Sequence, residues 1–385
     1  MSQAEDPLLN AIKEALHTVQ DPEIRRPITD LGMVDGINVD ADGTANVKVL
    51  LTVAGCPLST TIRSDVEHVL AELDGVNAVN VELGVMTDEQ REAMRQSLRG
   101  GQPEPEIPFA QPGNLTRVLA IASGKGGVGK SSVTVNLALA LAKRGLSVGL
   151  LDADIYGHSV PDMLGVPEAR PTVIDDMIMP VPALGVSAIS MGMLKEDRDQ
   201  VIAWRGPILD RALTQLLSEV YWGDLDWFLI DLPPGTGDIA MSLGQKLPDA
   251  DVIVVTTPQP NVADVSERAG TMANMLHQHV LGVVENMSWL ETTCQNCGTT
   301  QRTELFGSGG GAQTSAKLSE RIGREVPLLA QIPMDAAISS GSENGEPIVL
   351  SAPDHPSARA ITALAEKLAT TPRGLAGRSL HLSVG

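Results

Sequence analysis

The pattern of apolar positions divides the chain into two parts, with the change after residue 99. Through residue 99, an amphipathic start is followed by two apolar runs on either side of a turn signal at residues 40–43, a second amphipathic segment and a third apolar run. The second amphipathic segment has apolar positions at helical spacing, at Ile62, Val66, Val69, Leu70 and Leu73. Apolar residues three to four apart predict a helix, and short apolar runs bounded by turns predict strands. Residues 1–99 are therefore predicted to form a small α/β domain in the order α-β-β-α-β.

The pattern of the remaining chain predicts a second, larger domain. Residues 100–114, GGQPEPEIPFAQPGN, lack any periodicity and are predicted to be a linker. From residue 115 to 371, continuously apolar runs such as RVLAIAS, WFLIDLPP and DVIVVTTP alternate with helical segments, one of them expected over residues 263–279. This alternation predicts an α/β domain with a mostly parallel sheet and helices on both faces. Residues 372–385 are expected to form a disordered tail.

Composition and charge narrow the classes of partner. The chain has 385 residues, of which 43% are hydrophobic, and no window approaches the roughly 18 consecutive apolar residues of a membrane span. The N-terminus also lacks a basic segment followed by an apolar one, so a cytoplasmic protein with no membrane partner is expected. With 28 basic and 48 acidic residues, the net charge of −20 disfavours nucleic acid as a partner. Only three cysteines are present, which fits a reducing compartment.

The segment SGKGGVGKSS, at residues 123–132, predicts a phosphate-binding loop between a strand and a helix. It satisfies G-x-x-x-x-G-K-[ST], in which glycines let backbone N–H groups surround phosphate oxygens and the helix N-terminus adds partial positive charge. Lys130 is expected to contact the β and γ phosphates, and the Ser131 hydroxyl to bind Mg²⁺. The predicted nucleotide contacts in the loop are Gly124, Lys125, Gly126, Gly127, Val128, Gly129, Lys130, Ser131 and Ser132.

Carboxylates are expected where later strands end near the phosphates. Asp152 and Asp154 follow one apolar run, and Asp231 follows another and precedes PPGTGD, a segment able to sense a γ-phosphate. Asp231 is the predicted Walker B residue, although aspartates at strand ends are also common turn formers. A guanine-specific N-K-x-D is absent, because the corresponding strand ends in Glu285-Asn286-Met287. ATP is therefore predicted rather than GTP.

Cys294 and Cys297 form a C-x-x-C pair, which supplies half of a four-ligand zinc or [4Fe–4S] site. Since Cys56 belongs to the other domain, a twofold dimer that contributes the pair from each subunit would complete the site. Three alternatives remain open. The first is a thioredoxin-type redox pair, although such pairs prefer a helix N-terminus. The second is a zinc site completed by His277 and His279, which are expected on one helix but not on one face of it. The third is a structural zinc that bridges the dimer.

Two resemblances extend this interpretation. With Lys125 after its first glycine, the loop resembles the deviant P-loop of dimeric ATPases that include the nitrogenase iron protein and the septum-positioning and partitioning ATPases. That resemblance implies that Lys125 reaches the partner's phosphates. It also places Asp152 and Asp154 in switch I, where Asp154 would orient the attacking water, and implies a base contact for Asn286.

The chain as a whole resembles the Mrp/ApbC/Nbp35 family of iron–sulfur carrier ATPases, through SGKGGVGKSS, LLDADIYGHSVPDMLG, LDWFLIDLPPGTGD, VENMSWLETTCQNCG and AQIPMD. The N-terminal stretches DPEIRRPITDLGMV and LTVAGCPLSTTI resemble the MIP18 (DUF59) domain. The resemblance implies an ATP-hydrolysing homodimer that binds a labile [4Fe–4S] cluster through Cys294 and Cys297 and passes it to apoproteins. It also implies a role for Cys56 in cluster handling or partner contact. Ser132 and Gln295 depart from the family pattern, which more often has Thr and Pro there.

Two other functions share these motifs. A septum-positioning or partitioning ATPase would have the same loop, but it normally carries a basic amphipathic C-terminal helix or a basic face, and the C-terminal RGLAGRSLHLSVG is short and weakly amphipathic. An ATPase with a zinc-bridged dimer and no cluster transfer needs the same four thiolates. The sequence is equally compatible with that function.

Overall fold

The computed structural model describes residues 7–21, 26–51, 59–87, 89–91, 93–94, 106–155, 157, 159–174, 177–194, 206–294 and 296–371. Cys56, Gln295 and the predicted tail lie outside these residues. The chain divides into two compact units, Met1–Glu104 with Val201–Leu209 and Pro105–Gln200 with Asp210–Gly385. Each unit contains its own cluster of buried apolar side chains.

The first unit has the predicted order of helices and strands. Its elements are α1 (Pro7–Thr18), β1 (Val34–Val39), β2 (Thr44–Leu51), α2 (Ser59–Ala71) and β3 (Ala78–Val85). The predicted hairpin is confirmed, since β1 and β2 pair antiparallel, and β3 pairs parallel to β2. Gly43 closes the turn at φ 82°, a conformation that glycine adopts without steric cost. The helices bury Ile12, Leu16, Ile62, Val66 and Leu70 against the sheet, which forms the core of this unit.

The second unit is built on one large sheet. Its strands are β4 (Arg117–Ser123), β5 (Val148–Asp152), β6 (Thr172–Ile174), β7 (Met177–Met179), β8 (Val181–Ala183), β9 (Val186–Ser190), β10 (Trp227–Asp231), β11 (Asp251–Thr256), β12 (His279–Thr293), β13 (Thr300–Thr303) and β14 (Leu328–Met334). Among the described residues, nine of these form a sheet in the order β13-β12-β11-β4-β10-β5-β9-β8, with β14 also paired to β12. Within the described part of the chain, only the β12–β13 and β8–β9 pairs of this sheet are antiparallel.

Helices cover both faces of that sheet. They are α3 (Lys130–Ala142), α4 (Val160–Met163), α5 (Pro207–Ser218), α6 (Asp238–Lys246), α7 (Pro260–Met275), α8 (Gly310–Ile322), α9 (Ala336–Asn344), α10 (Ile348–Ser351) and α11 (Pro356–Thr370). Successive residues of a strand point to opposite faces, and Phe228, Leu229 and Ile230 of β10 are all 0% exposed. This is why the central strands are continuously apolar, as parallel strands buried on both faces are. None of the described helices is both long and apolar enough to cross a membrane.

The region before the cysteine pair differs from the prediction. The helix expected over residues 263–279 ends at Met275, and His279 is the first residue of β12. His277 lies between them at φ 66°, where the chain reverses to enter the sheet. The placement of His277 and His279 on one helix was therefore wrong. β12 continues to Thr293, and β13, which the apolar pattern did not predict because all four of its residues are exposed, returns beside it.

Candidate functional site

The phosphate loop connects β4 to α3 in the middle of the sheet, where β4 lies between β10 and β11. Gly129 precedes the helix at φ 76°, in the left-handed region that favours glycine. Gly124 lies against α7, and a Cβ added there would meet backbone atoms of Val265 and Ser266. Close packing on a neighbouring helix, as well as the turn itself, therefore requires glycine in this loop.

A buried network joins the start of α3 to the end of β10. Lys130 Nζ lies 2.7 Å from Asp231 Oδ2, and the side chains are 6% and 0% exposed. The Ser131 hydroxyl donates to Asp231 Oδ2 at 2.5 Å, and the Thr134 hydroxyl donates to Asp231 Oδ1 at 2.7 Å. Thr134 was not predicted, although its position one helical turn after Lys130 puts it on the same side of α3.

The same residues fit a magnesium ion. Mg²⁺ prefers carboxylate, hydroxyl and phosphate oxygens and is usually bound through one or two protein side chains. The Ser131 hydroxyl and the Asp231 carboxylate supply such oxygens side by side, next to the ammonium group of Lys130. These two residues would hold Mg²⁺ together with a nucleotide.

Asp152 ends β5 directly beside Asp231, with which it is in register. Its Oδ1 accepts from the backbone N–H of Asp154 at 3.1 Å, and its Oδ2 accepts from the Ser190 hydroxyl at 2.9 Å. Burial, and after it the negative charge of Asp231, raise the pKa of Asp152 to about 7. Ser190, at the end of β9, was not predicted as part of the site.

Asp154, predicted in switch I, and Lys125 lie on loops at this edge of the sheet. Asp154 follows β5, and its Oδ1 accepts from the backbone N–H of Gly157 at 3.0 Å. Lys125 is half-buried and its Nζ donates to the backbone oxygen of Asn261, in the first turn of α7, at 3.2 Å. Lys125 therefore contacts its own chain, on the helix that also packs against Gly124.

Asn286 braces the phosphate loop from β12. Its Nδ2 donates to the backbone oxygen of Val128 at 2.9 Å, and the side chain is 4% exposed. The preceding residue, Glu285, accepts from the backbone N–H of Gly311 at 2.6 Å and from Gln331 at 2.8 Å. A buried carboxylate thus stabilises the N-terminus of α8 through its dipole and free N–H groups. Glu285 was not predicted, because its partners are distant in sequence.

β12 bends just after these contacts. Met287 has φ 57°, which is unfavourable for a residue with a long side chain, and the pairing with β14 shifts register between Asn286 and Leu290. Cys294 comes eight residues after Asn286, directly after the last residue of this strand. One segment therefore contacts the phosphate loop at its bend and leads to the cysteine pair at its end.

Cys294 and Cys297 lie in the turn between β12 and β13, and both thiols are free and exposed. The backbone N–H of Cys294 donates to the Thr299 oxygen, and that of Gly298 donates to the Cys294 oxygen, both at 2.9 Å. Hydrogen bonds from the Thr299 side chain and backbone lower the pKa of Cys297 to about 7. Thr299 was not predicted as part of the site.

The strands below this turn are held by side-chain contacts. Arg302 Nε lies 2.9 Å from Glu291 Oε1, its guanidinium stacks 4.4 Å from the Trp289 ring, and the Trp289 indole N–H donates to Glu291 at 3.1 Å. A cation over an aromatic face is stabilised electrostatically. The cysteine turn therefore projects from a braced hairpin.

Two of the alternatives for the cysteine pair do not fit this geometry. His279 is the first residue of β12 and Cys294 follows its last residue, so the whole strand separates them, and His279 pairs with Asp251 at 2.9 Å. The pair lies in a hairpin turn and not at the helix N-terminus that a thioredoxin-type redox pair prefers. Within the described ranges, no three His, Cys, Asp or Glu residues are grouped so that they could hold a metal.

A glycine-rich loop between a parallel strand and a helix, with a buried Lys–Ser–Asp network at the strand ends, defines a P-loop NTPase. Comparison with known families agrees. Residues 114–369 match the family described as NUBPL iron-transfer P-loop NTPase, and residues 9–83 match one described as iron-sulfur cluster assembly protein. The chain belongs to the family of NUBPL iron-transfer P-loop NTPases.

Individual relatives match between 62% and 99% of this chain. An iron-sulfur cluster carrier protein of Mycobacterium tuberculosis is 52% identical over 383 residues, which cover 99% of each chain. One of Synechocystis is 39% identical and covers 94% of this chain and 96% of the relative. A nucleotide-binding protein of Archaeoglobus fulgidus, solved in complex with ADP, is 36% identical with a TM-score of 0.51, covering 62% of this chain and 89% of that one. The predicted family and fold class are thereby confirmed.

Proposed function

We propose that this protein is an ATP-hydrolysing iron–sulfur cluster carrier of the cytoplasm that acts as a homodimer. Cys294 and Cys297 of both subunits hold a labile [4Fe–4S] cluster, which is cargo passed to apoproteins, with no nucleic acid or membrane partner. The observation that carries the proposal is the position of the two exposed thiols in the turn between β12 and β13, because β12 also contacts the phosphate loop. The names of the relatives support the cargo.

The need for a second subunit follows from the number of ligands. A [4Fe–4S] cluster is ordinarily held by four thiolates. The described part of the chain brings Cys294 together with Cys297 and with no further group of metal ligands. A twofold axis beside the turn would supply two cysteines from each subunit, and closed twofold dimers are the commonest homo-oligomers. The same symmetry allows Lys125 to leave its contact with Asn261 and reach the partner's phosphates.

ATP hydrolysis is assigned to the network at the strand ends. Lys130 would neutralise charge on the β and γ phosphates, and Mg²⁺ held by Ser131 and Asp231 would stabilise charge that develops on the phosphate oxygens. Asp154 would orient a water whose oxygen bonds to the γ-phosphorus as the bond to the bridging oxygen breaks, which gives ADP and phosphate. Asp152 would hold the backbone N–H of Asp154 in place.

Nucleotide and cargo are connected through β12. Asn286 donates to the carbonyl of Val128, and we assign it the base contact as well. A change at the phosphates would therefore move a residue of β12, the strand that Cys294 follows. Switches of this kind order or release segments according to the presence of a γ-phosphate. Binding and hydrolysis of ATP would therefore change how the two cysteine turns face each other.

The test is anaerobic reconstitution with iron and sulfide, followed by quantitation of Fe, S and Zn per dimer. We expect about four Fe and four S per dimer for the wild type, and none for Cys294→Ala/Cys297→Ala. About one Zn per dimer that excludes iron would contradict cluster transport and indicate the zinc-bridged ATPase instead. A monomer that nevertheless retains a full cluster would contradict the shared site.

Hydrolysis is tested separately with Lys130→Ala, which removes the phosphate contact. Lys143→Ala is the matched control, because Lys143 lies exposed at the other end of the same helix. The first variant is expected to lose ATPase activity and the second to keep it. Wild-type hydrolysis by Lys130→Ala would refute the assignment of the loop.

A further inference from the structure

One residue contacts both cysteines of the turn between β12 and β13. The backbone oxygen of Thr299 accepts from the N–H of Cys294 at 2.9 Å. Its hydroxyl oxygen lies 3.3 Å from Cys297 Sγ. Thr299 therefore closes the turn through its backbone oxygen and contacts the sulfur of Cys297 through its hydroxyl.

We propose that Thr299 is a positioning residue for the cluster, and that its hydroxyl donates a hydrogen bond to the sulfur of Cys297 and thereby sets the reduction potential of the bound cluster. This inference rests on the cluster binding proposed above and adds to it a determinant of how readily the cargo is reduced. The C-x-x-C spacing alone does not point to Thr299, which lies outside the motif.

The direction of the hydrogen bond depends on the state of the sulfur. As a thiol, Cys297 donates its S–H to Thr299 Oγ1. A thiolate bound to iron has no hydrogen, so at the same separation the threonine hydroxyl turns and donates to the sulfur. The hydroxyl can make this change by rotation about its C–O bond, so the contact persists when iron binds.

The expected effect follows from charge. Reduction adds one negative charge to the cluster, part of which resides on the thiolate sulfurs. Hydrogen bonds to the sulfurs stabilise the more negative, reduced state and so raise the reduction potential, as hydrogen bonding and solvent exposure do in iron–sulfur proteins generally. Removal of the hydroxyl is therefore expected to lower the potential.

The adjacent residue supplies a matched control. Thr300 is also exposed, and it begins β13 opposite Thr293, whose hydroxyl lies 3.3 Å from the Thr300 hydroxyl. Thr300→Val removes the same chemical group from the same hairpin without removing a contact to sulfur. Thr299→Val removes the hydroxyl at almost constant volume, and Thr299→Ser retains it.

The experiment compares the full-length wild type and these three variants after anaerobic reconstitution. Fe and S per dimer are measured first. The midpoint reduction potential is then determined by potentiometric titration with dithionite, in which electron paramagnetic resonance monitors the reduced cluster. We expect equal loading of all four proteins, a lower midpoint for Thr299→Val alone, and wild-type midpoints for Thr299→Ser and Thr300→Val. Loss of the cluster by Thr299→Val alone would overturn the role in the reduction potential, because it would show that the hydroxyl is needed for cluster binding instead.

Other outcomes overturn it. A midpoint of Thr299→Val equal to that of the wild type would show that the hydroxyl does not act on the cluster. An equal shift in Thr300→Val would show a general effect of hairpin polarity. A wild type that takes up no cluster refutes the proposed function itself, which is thus distinguished from failure of the role given to Thr299.

Discussion

The first glycine of the phosphate loop has no room for a side chain. A Cβ added to Gly124 would meet the carbonyl group of Val265 and the amide nitrogen of Ser266, all backbone atoms of α7. Helix backbone cannot move aside without moving the helix. We therefore expect Gly124→Ala to separate the loop from α7, to destabilise this unit and to weaken ATP binding.

The size of the effect can be estimated from the kind of atoms in the way. Overpacking a close-packed site costs about 1–3 kcal/mol, and the upper part of that range, about 2–3 kcal/mol, applies because the obstacle is backbone. For a domain of roughly this size, each kcal/mol lowers the Tm by about 2–4 °C, so a decrease of about 4–12 °C is expected.

Gly126→Ala is the matched control. A Cβ at Gly126 has Pro234 Cγ as its nearest neighbour, at 3.9 Å, which is an ordinary contact distance. The same chemical change two residues further along the loop should therefore shift the Tm by no more than about 2 °C. Thermal unfolding is followed by circular dichroism and ATP affinity by calorimetry. Equal unfolding of the two variants would refute the close packing of Gly124 on α7.

Three other changes test single contacts. Asn286→Ala leaves the Val128 carbonyl without its hydrogen bond, which costs about 1–3 kcal/mol, and an unchanged urea midpoint would contradict that contact. The pKa of Asp152, raised from 3.8 to about 7, makes the folded state bind more protons than the unfolded state between these values. Its contribution to stability should therefore fall as pH rises through this window. The difference in unfolding free energy between wild type and Asp152→Asn should follow that slope, and a flat difference from pH 4 to 7 would exclude the shift. The rate at which iodoacetamide alkylates Cys297 in cluster-free protein, measured by mass spectrometry, should increase with pH with a midpoint near pH 7, since the thiolate is the reactive form. A midpoint near the ordinary pKa of 9.0 would contradict the contact with Thr299.

Local chemistry makes the phosphate loop and the cysteine pair recognisable in the amino-acid sequence. A loop that surrounds phosphate needs glycines, a lysine and a serine at fixed offsets, and a C-x-x-C pair carries its spacing in four residues. The continuous apolar runs indicated a parallel sheet for a similar reason, because a strand buried on both faces has no polar positions to spare. These properties depend on neighbours in the chain, so the sequence expresses them directly.

The partners of these residues were decided only by tertiary structure. Ser131 and Asp231 are 100 residues apart and meet because β10 pairs with β4. Thr134 joins them through the helical turn, and Ser190 reaches Asp152 through the register of β9 with β5. Strand order and register fix such contacts, and a single sequence does not encode them locally.

The same distinction holds at the cysteine turn. The C-x-x-C spacing in the sequence predicted that the two thiols of Cys294 and Cys297 lie close together. Only the fold showed that β12 extends to the pair, that the exposed β13 returns beside it, and that Thr299 reaches the sulfur of Cys297. β13 is short, polar and exposed, so it has no apolar periodicity to reveal it, and its position follows from its pairing with the last four residues of β12.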